Sequence, residues 1–469
     1  MTKKIYAVIL VIAMTVLTAL AGNIESGQTE TAGLFQKKEN IVIWYTDDAL
    51  SDYLAGAALK YYEENDVRVT PVLVSGLQYL EQIHDAQMSG EGAPDLYIIS
   101  NDTLEKAYLS GLAAQITDPE GMVNASHYSD AALHAVTYEN KLLGYPLYFE
   151  TSIFLYNETY LTDMAVKTIE AEQNAAEGEA AMEMVEAAES DAELEALAND
   201  NGATSVSDIT EEQIKEKKEA LVPVTMDGIL TFADSYDAPE TVEAVFKWDV
   251  SDIFYNYFIV GDSISVGGIN GDDAGTIDIY NQKSVECMTL YQQLNQFFSI
   301  DTKAVTYDSV LSEFMEGKIV FTVATTDAIG KLEKGKKDGT FAYEYGITAI
   351  PAVSDSLDSK SLSVTNAAVI NGFSKNGTFA NDFASYLVKN QTEEFYTMTD
   401  KIPSRYDVTY ENPAISVALS EYGTSVPVPK MMQTSNFWAQ LEIAFTRIWT
   451  GSDVNEILSD LDERIKKQV

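Results

Sequence analysis

The stretch Ile41-Val42-Ile43-Trp44-Tyr45, followed closely by the acid pair Asp47-Asp48, decides the fold. Five consecutive apolar residues are typical of a strand that is buried on both faces. Residues 50–61 then carry apolar side chains at helical spacing, residues 76–88 do the same, and residues 67–74 and 96–99 repeat the strand pattern. This alternation of strands and helices predicts an α/β fold built on a parallel sheet.

Polar side chains follow two of these predicted strands. Asp47 and Asp48 come after the first strand, and Asn101 and Asp102 come directly after the third. Open parallel sheets bind ligands outside the carboxyl ends of their strands. The acids are therefore candidate ligand contacts, although each could instead only cap the helix that follows it.

Composition excludes several classes of function. The chain has 469 residues, which predicts two or three domains, and it carries a formal net charge of −43. A surface this acidic would repel phosphate backbones, so no nucleic-acid partner is expected. One cysteine, Cys287, and three histidines cannot form an internal disulfide or a Cys₄ or Cys₂His₂ zinc site. We expect neither a metal nor a cofactor.

The N-terminus has the features of an export signal. Lys3 and Lys4 precede an apolar run over residues 5–21, which ends in an A-x-A-like cleavage site. A retained anchor helix is the alternative. We expect residues 1–21 to be a signal peptide, residues 22–38 a flexible tether, and the protein to act at the cell surface, outside the cell or in the periplasm. Asn23 stands where lipoprotein signals carry their acylated cysteine, which argues against a lipid anchor.

Residues 164–220 differ in kind from the rest of the chain. They are rich in Glu and Ala and contain no aromatic residue. Such a composition favours helix but offers little to bury. It predicts an inserted helical or partly disordered arm rather than a domain.

Searches for catalytic motifs identify no enzyme. Residues 330–336 match G-x-x-x-x-G-K, but Lys337 replaces the required Ser or Thr and the predicted setting is a helix end. His127 and His134 could share a helix face, yet isolated histidines near a surface are most simply solvated. We therefore predict a non-enzyme, while the abundance of carboxylates leaves a glycoside hydrolase open.

Six short blocks occur in an order that resembles a known family. They lie at residues 41–44 with the acids after them, 93–96 through 110–117, 140–146 through 156–157, 314–318, 345–347 with 350–351, and 435–438. Together they span residues 39–465 outside the acidic arm. The chain resembles the extracellular solute-binding proteins of ABC importers, specifically the maltose-binding-like, sugar-binding group.

The resemblance implies a type II periplasmic-binding-protein-like fold. This fold has two α/β lobes and a hinge of two or three crossing segments, which allows closure around a ligand. Lobe one would comprise residues 39–148 plus 355–406, and lobe two residues 153–350 plus 411–469, with the arm at 164–220 inside lobe two. The crossings would lie near residues 147–152, 351–357 and 406–410.

The resemblance also implies a set of ligand contacts. These are Asp47, Asp48, Asp102, Tyr148, Glu150 and Trp438, together with Trp248, Asp252 and Tyr255, where the alignment with lobe two is loose. Carboxylates accept hydrogen bonds from sugar hydroxyls, and aromatic faces cover the apolar face of a sugar ring. Asp102 and Glu150 could instead be a helix cap and a solvated acid. Trp438 stands one residue off the apolar stripe of its predicted helix, which independently favours an exposed role.

We expect a monomer that captures a mono- or oligosaccharide in the cleft and delivers it to the membrane permease of an ABC importer. Family positions that hold a basic residue, a tryptophan and an arginine align here with Ala49, Asp327 and Glu442. The specificity should therefore differ from the maltodextrin prototype, and a more acidic pocket would also suit an amino sugar or a polyamine. A secreted glycoside hydrolase, and a surface interaction protein that uses the arm, are the rival classes.

Overall fold

The computed structural model describes residues 39–90, 92–187, 209–434 and 436–468. The predicted signal peptide, the tether and Asn23 lie outside the described residues, as does the middle of the predicted arm. Among the described helices, none combines the length and apolarity that a bilayer crossing requires.

The described residues form fourteen strands and fifteen α-helices. The strands are β1 (Asn40–Tyr45), β2 (Arg68–Leu73), β3 (Leu96–Ser100), β4 (Thr137–Tyr138), β5 (Lys141–Leu142), β6 (Tyr145–Asn157), β7 (Ala244–Phe246), β8 (Ser265–Gly267), β9 (Asp273–Asp278), β10 (Ile319–Thr325), β11 (Tyr345–Thr348), β12 (Leu362–Ile370), β13 (Ile402–Pro403) and β14 (Val426–Pro427). The helices are α1 (Ser51–Asn65), α2 (Tyr79–Ser89), α3 (Leu104–Leu109), α4 (Asp130–Val136), α5 (Glu158–Ala187), α6 (Glu211–Leu221), α7 (Met226–Ser235), α8 (Gln282–Phe298), α9 (Tyr307–Met315), α10 (Asp327–Asp338), α11 (Gly377–Lys389), α12 (Glu393–Thr399), α13 (Pro413–Thr424), α14 (Phe437–Trp449) and α15 (Val454–Lys466).

Most strands join one large mixed sheet with the order β2-β1-β3-β12-β6-β10-β7. The predicted parallel arrangement is found where β1 pairs with β2 and β3. The long strands β6 and β12 run antiparallel to each other, β6 also to β10 and β12 also to β3, whereas β12 pairs in parallel with the short strand β14. Pro71 lies on β2, the edge strand, where its missing N–H costs no ladder hydrogen bond. The α/β fold class is confirmed.

Two hydrophobic cores flank this sheet, and they correspond to two lobes. The first core draws on residues 41–148 and 367–395. The second draws on residues 149–362 and 396–465, with three additional residues, Tyr128, Ala131 and Ala132. Each long strand therefore passes from one core to the other.

Apart from Tyr128, Ala131 and Ala132, the chain changes core at three places, within β6, within β12 and within α12. The first change falls between Tyr148 and Phe149, inside the crossing predicted near 147–152. The second falls within β12, later than the crossing predicted near 351–357. The third lies between Phe395 and Tyr396, earlier than the one predicted near 406–410. The polar residues of β6 next to the first change are thereby placed between the lobes.

The predicted arm begins inside a helix of the second lobe. Helix α5 starts at Glu158, and its Leu161, Ala165 and Ile169 are buried in the second core. Within the predicted arm, Ala165 and Ile169 are therefore buried, whereas α6 near its other end has no buried residue. The composition is strongly acidic overall, but the few apolar residues share one helix face.

Candidate functional site

The first candidate acid, Asp47, caps a turn and also contacts a lysine side chain. It caps the short 3₁₀ turn Asp48–Leu50, and its Oδ1 accepts a hydrogen bond from the Ala49 N–H at 3.1 Å. Its second oxygen, Oδ2, lies 3.0 Å from the Nζ of Lys401. Capping uses one oxygen only, so this carboxylate can position the chain and still face the cleft.

Lys401 gathers three of the predicted site residues. Its Nζ lies 3.2 Å from Glu150 Oε1, in addition to its contact with Asp47, and 5.6 Å from the centre of the Tyr148 ring. The side chain is 20% exposed. Burial disfavours the charged ammonium, but the nearby Glu150 and Asp47 outweigh burial and raise the pKa of Lys401. The group is therefore a charged centre held between two carboxylates.

Sequence reasoning missed Lys401, and the structure shows why. The residue directly precedes β13, which pairs antiparallel with β6 so that Ile402 lies opposite Phe149 and Pro403 opposite Tyr148. This pairing joins segments about 250 residues apart. Nothing local in the sequence around Lys401 indicates it.

A cavity of about 250 Å³ opens at the carboxyl ends of β1 and β3. Its polar lining includes Thr46, Asp47, Ser100, Thr103, Tyr148 and Asn366, with Ile98 and Ile99 among the apolar residues. This is the position that the parallel-strand rule predicts for a ligand. Glu81 and Lys106, which pair with each other, also line the cavity, and together with the hydroxyl, amide and aromatic groups they suit a polar solute without net charge.

Asp48 and Asp102 do not line this cavity, although both neighbour it in sequence. Both are exposed. Asp102 accepts a hydrogen bond from the Ser100 hydroxyl, so it orders the turn after β3. Of the three acids predicted at strand ends, Asp47 is the one that the structure places in the cavity wall.

Trp248 is a core residue, and its predicted ligand contact is corrected. The side chain is 0% exposed. Its ring stacks on Phe246 at 4.6 Å, and its indole N–H donates to Asn256 Oδ1 at 2.9 Å. Asn256 in turn donates to the backbone oxygens of Asp249 and Asp252. Trp248 therefore holds the loop that carries Asp252 and leaves no face open to a ligand.

Asp252 and Tyr255 lie on that loop in the second lobe. Asp252 caps a 3₁₀ turn by accepting from the Phe254 N–H at 2.8 Å, and burial raises the pKa of its carboxyl group. Tyr255 is 8% exposed and stacks on Tyr307, with ring centres 4.8 Å apart. Both residues are thus largely enclosed.

The stacked tyrosines belong to a charged cluster that includes one of the departures from the family pattern. Tyr307 donates its hydroxyl to Asp327 Oδ1 at 2.7 Å. Lys331 lies 2.7 Å from Asp327 Oδ2 and 4.9 Å from the centre of the Tyr307 ring. At Asp327, which the resemblance aligns with a family tryptophan, the structure has an ion pair beside an aromatic stack.

Strand β6 connects this cluster to the lysine centre. Glu150 faces Lys401, and two residues later the Ser152 hydroxyl donates to the Phe254 backbone oxygen at 3.0 Å. Ser152 also lies opposite Thr325, whose hydroxyl donates to Asp327. A short stretch of β6 thus links the Glu150–Lys401 pair to the loop of Phe254 and to the Asp327 cluster.

Trp438 lies in the first turn of α14 and is half-buried. The apolar stripe of this helix is buried as predicted, from Phe437 to Trp449. The Trp438 ring sits edge-on to Tyr257, with centres 5.6 Å apart, so one side is supported by the second core. A supported but partly exposed indole can cover the apolar face of a sugar ring.

The described residues contain no group of three His, Cys, Asp or Glu side chains that could hold a metal ion. The phosphate-loop-like stretch 330–336 lies inside α10 and not between a strand and a helix. His127 Nδ1 lies 2.6 Å from Asp407 Oδ2, and burial lowers the pKa of His134. His127 therefore pairs with an acid, and His134 is partly buried.

Comparison with known sequences places these features in context. The family described as "Bacterial extracellular solute-binding protein" matches residues 56–418. The chain is similar to the "Galactooligosaccharide-binding protein" of Bacillus subtilis (strain 168), with 23% identity over 100% of this chain and 98% of the relative. It is also similar to the "Maltodextrin-binding protein MdxE" of the same organism, with 20% identity over 90% of this chain and 89% of the relative.

A solved structure shows the same fold. The extracellular solute-binding protein from Staphylococcus aureus, solved in complex with maltose, superposes with a TM-score of 0.67 at 20% identity. The match covers 92% of this chain and 98% of that protein. The two-lobed architecture expected from the sequence is therefore the architecture observed.

Proposed function

The chain belongs to the bacterial extracellular solute-binding proteins, and from this premise we propose that it captures a neutral mono- or oligosaccharide between its lobes. The observation that carries the proposal is the convergence of Asp47, Tyr148 and Glu150 around Lys401, next to a cavity at the strand ends. The names of the two Bacillus relatives, which bind galacto-oligosaccharides and maltodextrins, support the sugar class.

The chemistry of these groups suits an uncharged polyol. Carboxylate oxygens accept strong hydrogen bonds from hydroxyl groups. Thr46, Ser100 and Asn366 in the cavity wall can donate or accept as the solute requires. Trp438, supported by Tyr257, offers an aromatic face from the second lobe. Closure of the lobes would bring both sets of groups onto one ligand.

In this proposal the ligand passes to the permease of an ABC importer. The exported location expected from the N-terminal sequence fits that role, and so does the expectation that the protein is not an enzyme. Lobe one would comprise residues 39–148 plus 355–406 and lobe two residues 153–350 plus 411–469. The protein would act as a monomer, with the arm as an ornament on lobe two.

Titration calorimetry with the purified protein tests the proposal. Maltotriose, β-1,4-galactotriose and spermidine are titrated separately, and each sugar mixture is then examined by chromatography. We expect saturable binding of a sugar at one site per chain and no released product. Hydrolysis without stoichiometric binding would show a glycoside hydrolase, and heat from spermidine alone would show a polyamine-binding protein.

A matched pair of variants locates the site. Glu150→Gln replaces a charge-assisted acceptor by a neutral one and should weaken sugar binding. Glu120→Gln makes the same change in an exposed acid paired with Lys389 at 2.6 Å, outside the proposed site. The control should bind sugar as the wild type does. Equal losses in both variants would contradict the assignment of Glu150.

A further inference from the structure

The acids that line the cavity are each paired with a lysine. Asp47 is bonded to Lys401, and Glu81 lies 2.5 Å from Lys106 Nζ. Asp47, Glu81 and Lys106 all line the cavity itself. The protein as a whole is strongly acidic, with a formal net charge of −43. The cavity differs from this overall excess of acids, because each acid in its wall has a lysine partner.

The backbone holds Lys401 in place on both sides. Helix α12 ends at Asp400, which adopts a left-handed conformation (φ 54°) and reverses the chain. The Lys401 N–H then donates to the Thr399 hydroxyl at 3.1 Å, and the next residue, Ile402, enters the sheet opposite Phe149. The backbone therefore places Lys401 beside β6, and its largely buried side chain reaches between Asp47 and Glu150.

We propose that Lys401 is a specificity-determining residue that serves as a built-in counter-ion. Its ammonium occupies the position between Asp47 and Glu150 that a cationic solute would otherwise take. A primary or secondary amine that enters the cavity meets a like charge, whereas a neutral sugar does not. The two carboxylates use two of the three N–H donors of Lys401, and the third can donate to a sugar hydroxyl.

This inference rests on the proposed function, and it makes that function more specific. The departures at Ala49, Asp327 and Glu442 suggested a pocket that would also suit a polyamine. The contact between Lys401 and the acid pair indicates the opposite, because the acids that would bind an amine are already paired. Selectivity for neutral solutes at this acid pair would then depend on Lys401, while Lys106 compensates Glu81 in the same cavity.

The test removes or keeps the positive charge at residue 401 and measures the binding of two sugars and one polyamine. Lys401→Met removes the ammonium and keeps much of the side-chain volume, Lys401→Arg keeps the charge, and Lys389→Met removes a lysine from the exposed pair with Glu120 as a control. Calorimetry with maltotriose, β-1,4-galactotriose and spermidine is carried out on each at physiological ionic strength. We expect Lys401→Met to gain saturable spermidine binding, tighter than in the wild type by about tenfold or more. Lys401→Arg and Lys389→Met should resemble the wild type toward spermidine.

Two double variants test whether the gained affinity comes from the unpaired acids, and competition in the wild type keeps the proposal falsifiable if Lys401→Met folds poorly. The double variants Lys401→Met/Asp47→Asn and Lys401→Met/Glu150→Gln remove one unpaired acid each, and both should lose the gained spermidine affinity. In the wild type, spermidine in excess should not displace bound sugar. Spermidine binding that is equal in wild type and Lys401→Met, or displacement of sugar by spermidine in the wild type, would overturn the counter-ion role.

The outcomes separate this inference from the proposed function. If the wild type binds no sugar but Lys401→Met gains spermidine binding, the sugar proposal fails and the counter-ion role stands. If the wild type binds sugar and Lys401→Met gains nothing for amines, the sugar proposal stands and the counter-ion role fails.

Discussion

Truncation of Trp248 is expected to destabilise the second lobe without removing a side chain from the proposed ligand site. Its indole is 0% exposed and packs against Phe246, Phe298 and Trp449. Its N–H donates to Asn256, the residue that ties down the loop before Tyr255. The resemblance to sugar-binding proteins had assigned Trp248 to ligand contact, so stability and affinity measurements distinguish the two roles.

The magnitude follows from what each substitution removes. Truncating a core tryptophan to alanine costs about 3–5 kcal/mol. Leaving the Asn256 oxygen without its donor adds about 1–3 kcal/mol. We therefore expect Trp248→Ala to lower the free energy of unfolding by about 4 kcal/mol or more. Trp248→Phe retains a ring against Phe246 but loses the hydrogen bond, so it should cost about 1–3 kcal/mol.

Urea unfolding followed by far-UV circular dichroism measures both values, because that signal does not depend on tryptophan emission. Calorimetry on folded Trp248→Phe should give a sugar affinity within about twofold of the wild type, since this variant leaves the site residues in place. Trp438→Ala is the matched control on a half-buried tryptophan. The reasoning is refuted if Trp248→Ala unfolds at the wild-type urea concentration while its sugar affinity falls about tenfold or more.

The remaining predictions concern the cleft and one buried lysine. Trp438→Ala should weaken sugar binding by about 1–3 kcal/mol, mainly through a faster off-rate in stopped-flow displacement, and a loss of about 3 kcal/mol or more in ligand-free stability would instead show a core residue. Glu150→Gln should reduce affinity in calorimetry without lowering the urea midpoint of the ligand-free protein much, and an unchanged affinity would remove it from the site. Lys430 donates to the backbone oxygens of His134 and Asn270, and burial lowers its pKa to about 8. Between about pH 8 and 10.5 the unfolded chain holds more of this proton than the folded one, so wild-type stability should rise relative to Lys430→Met by up to about 1.4 kcal/mol per pH unit. Urea unfolding of both proteins at about pH 7, 8.5 and 10 checks this, and a constant difference would contradict it.

Elements with strong local patterns could be predicted from the sequence. The continuous apolar run at residues 41–45 is β1, and the apolar residues at helical spacing over residues 50–61 lead into and lie along α1 (Ser51–Asn65). The two C-terminal helices are separated at Gly451, which adopts φ 100°, a conformation that favours glycine. In these cases the spacing of the apolar residues, the helix caps and the turn residues all indicate the same element, and tertiary packing does not change it.

Features that depend on long-range packing could not be predicted in the same way. Strand β6 runs for 13 residues through both cores, whereas the sequence indicated only a crossing near residues 147–152. The role of Trp248 was wrong because alignment gives a position in the chain and not the direction of a side chain. Lys401 was missed because its partners are set by the pairing of β13 with β6.

The candidate site could be predicted only in part. Asp47, Tyr148 and Glu150 were selected from strand ends and from the resemblance, and the structure brings them together around Lys401. Asp48 and Asp102 share the strand-end position but are exposed. A strand end therefore locates the edge of the sheet at which the cavity opens, while the side chains that reach the cavity depend on the turn that follows each strand.

The most direct test of the account is a crystal structure of the protein with the sugar that raises its melting temperature most, since binding to the native state alone stabilises it by mass action. We predict that sugar hydroxyl oxygens lie within about 2.5–3.0 Å of carboxylate oxygens of Asp47 and Glu150, with Lys401 still between the two acids and a sugar ring against Trp438. A sugar bound elsewhere, or bound in the cleft without contact to either acid, would contradict the account.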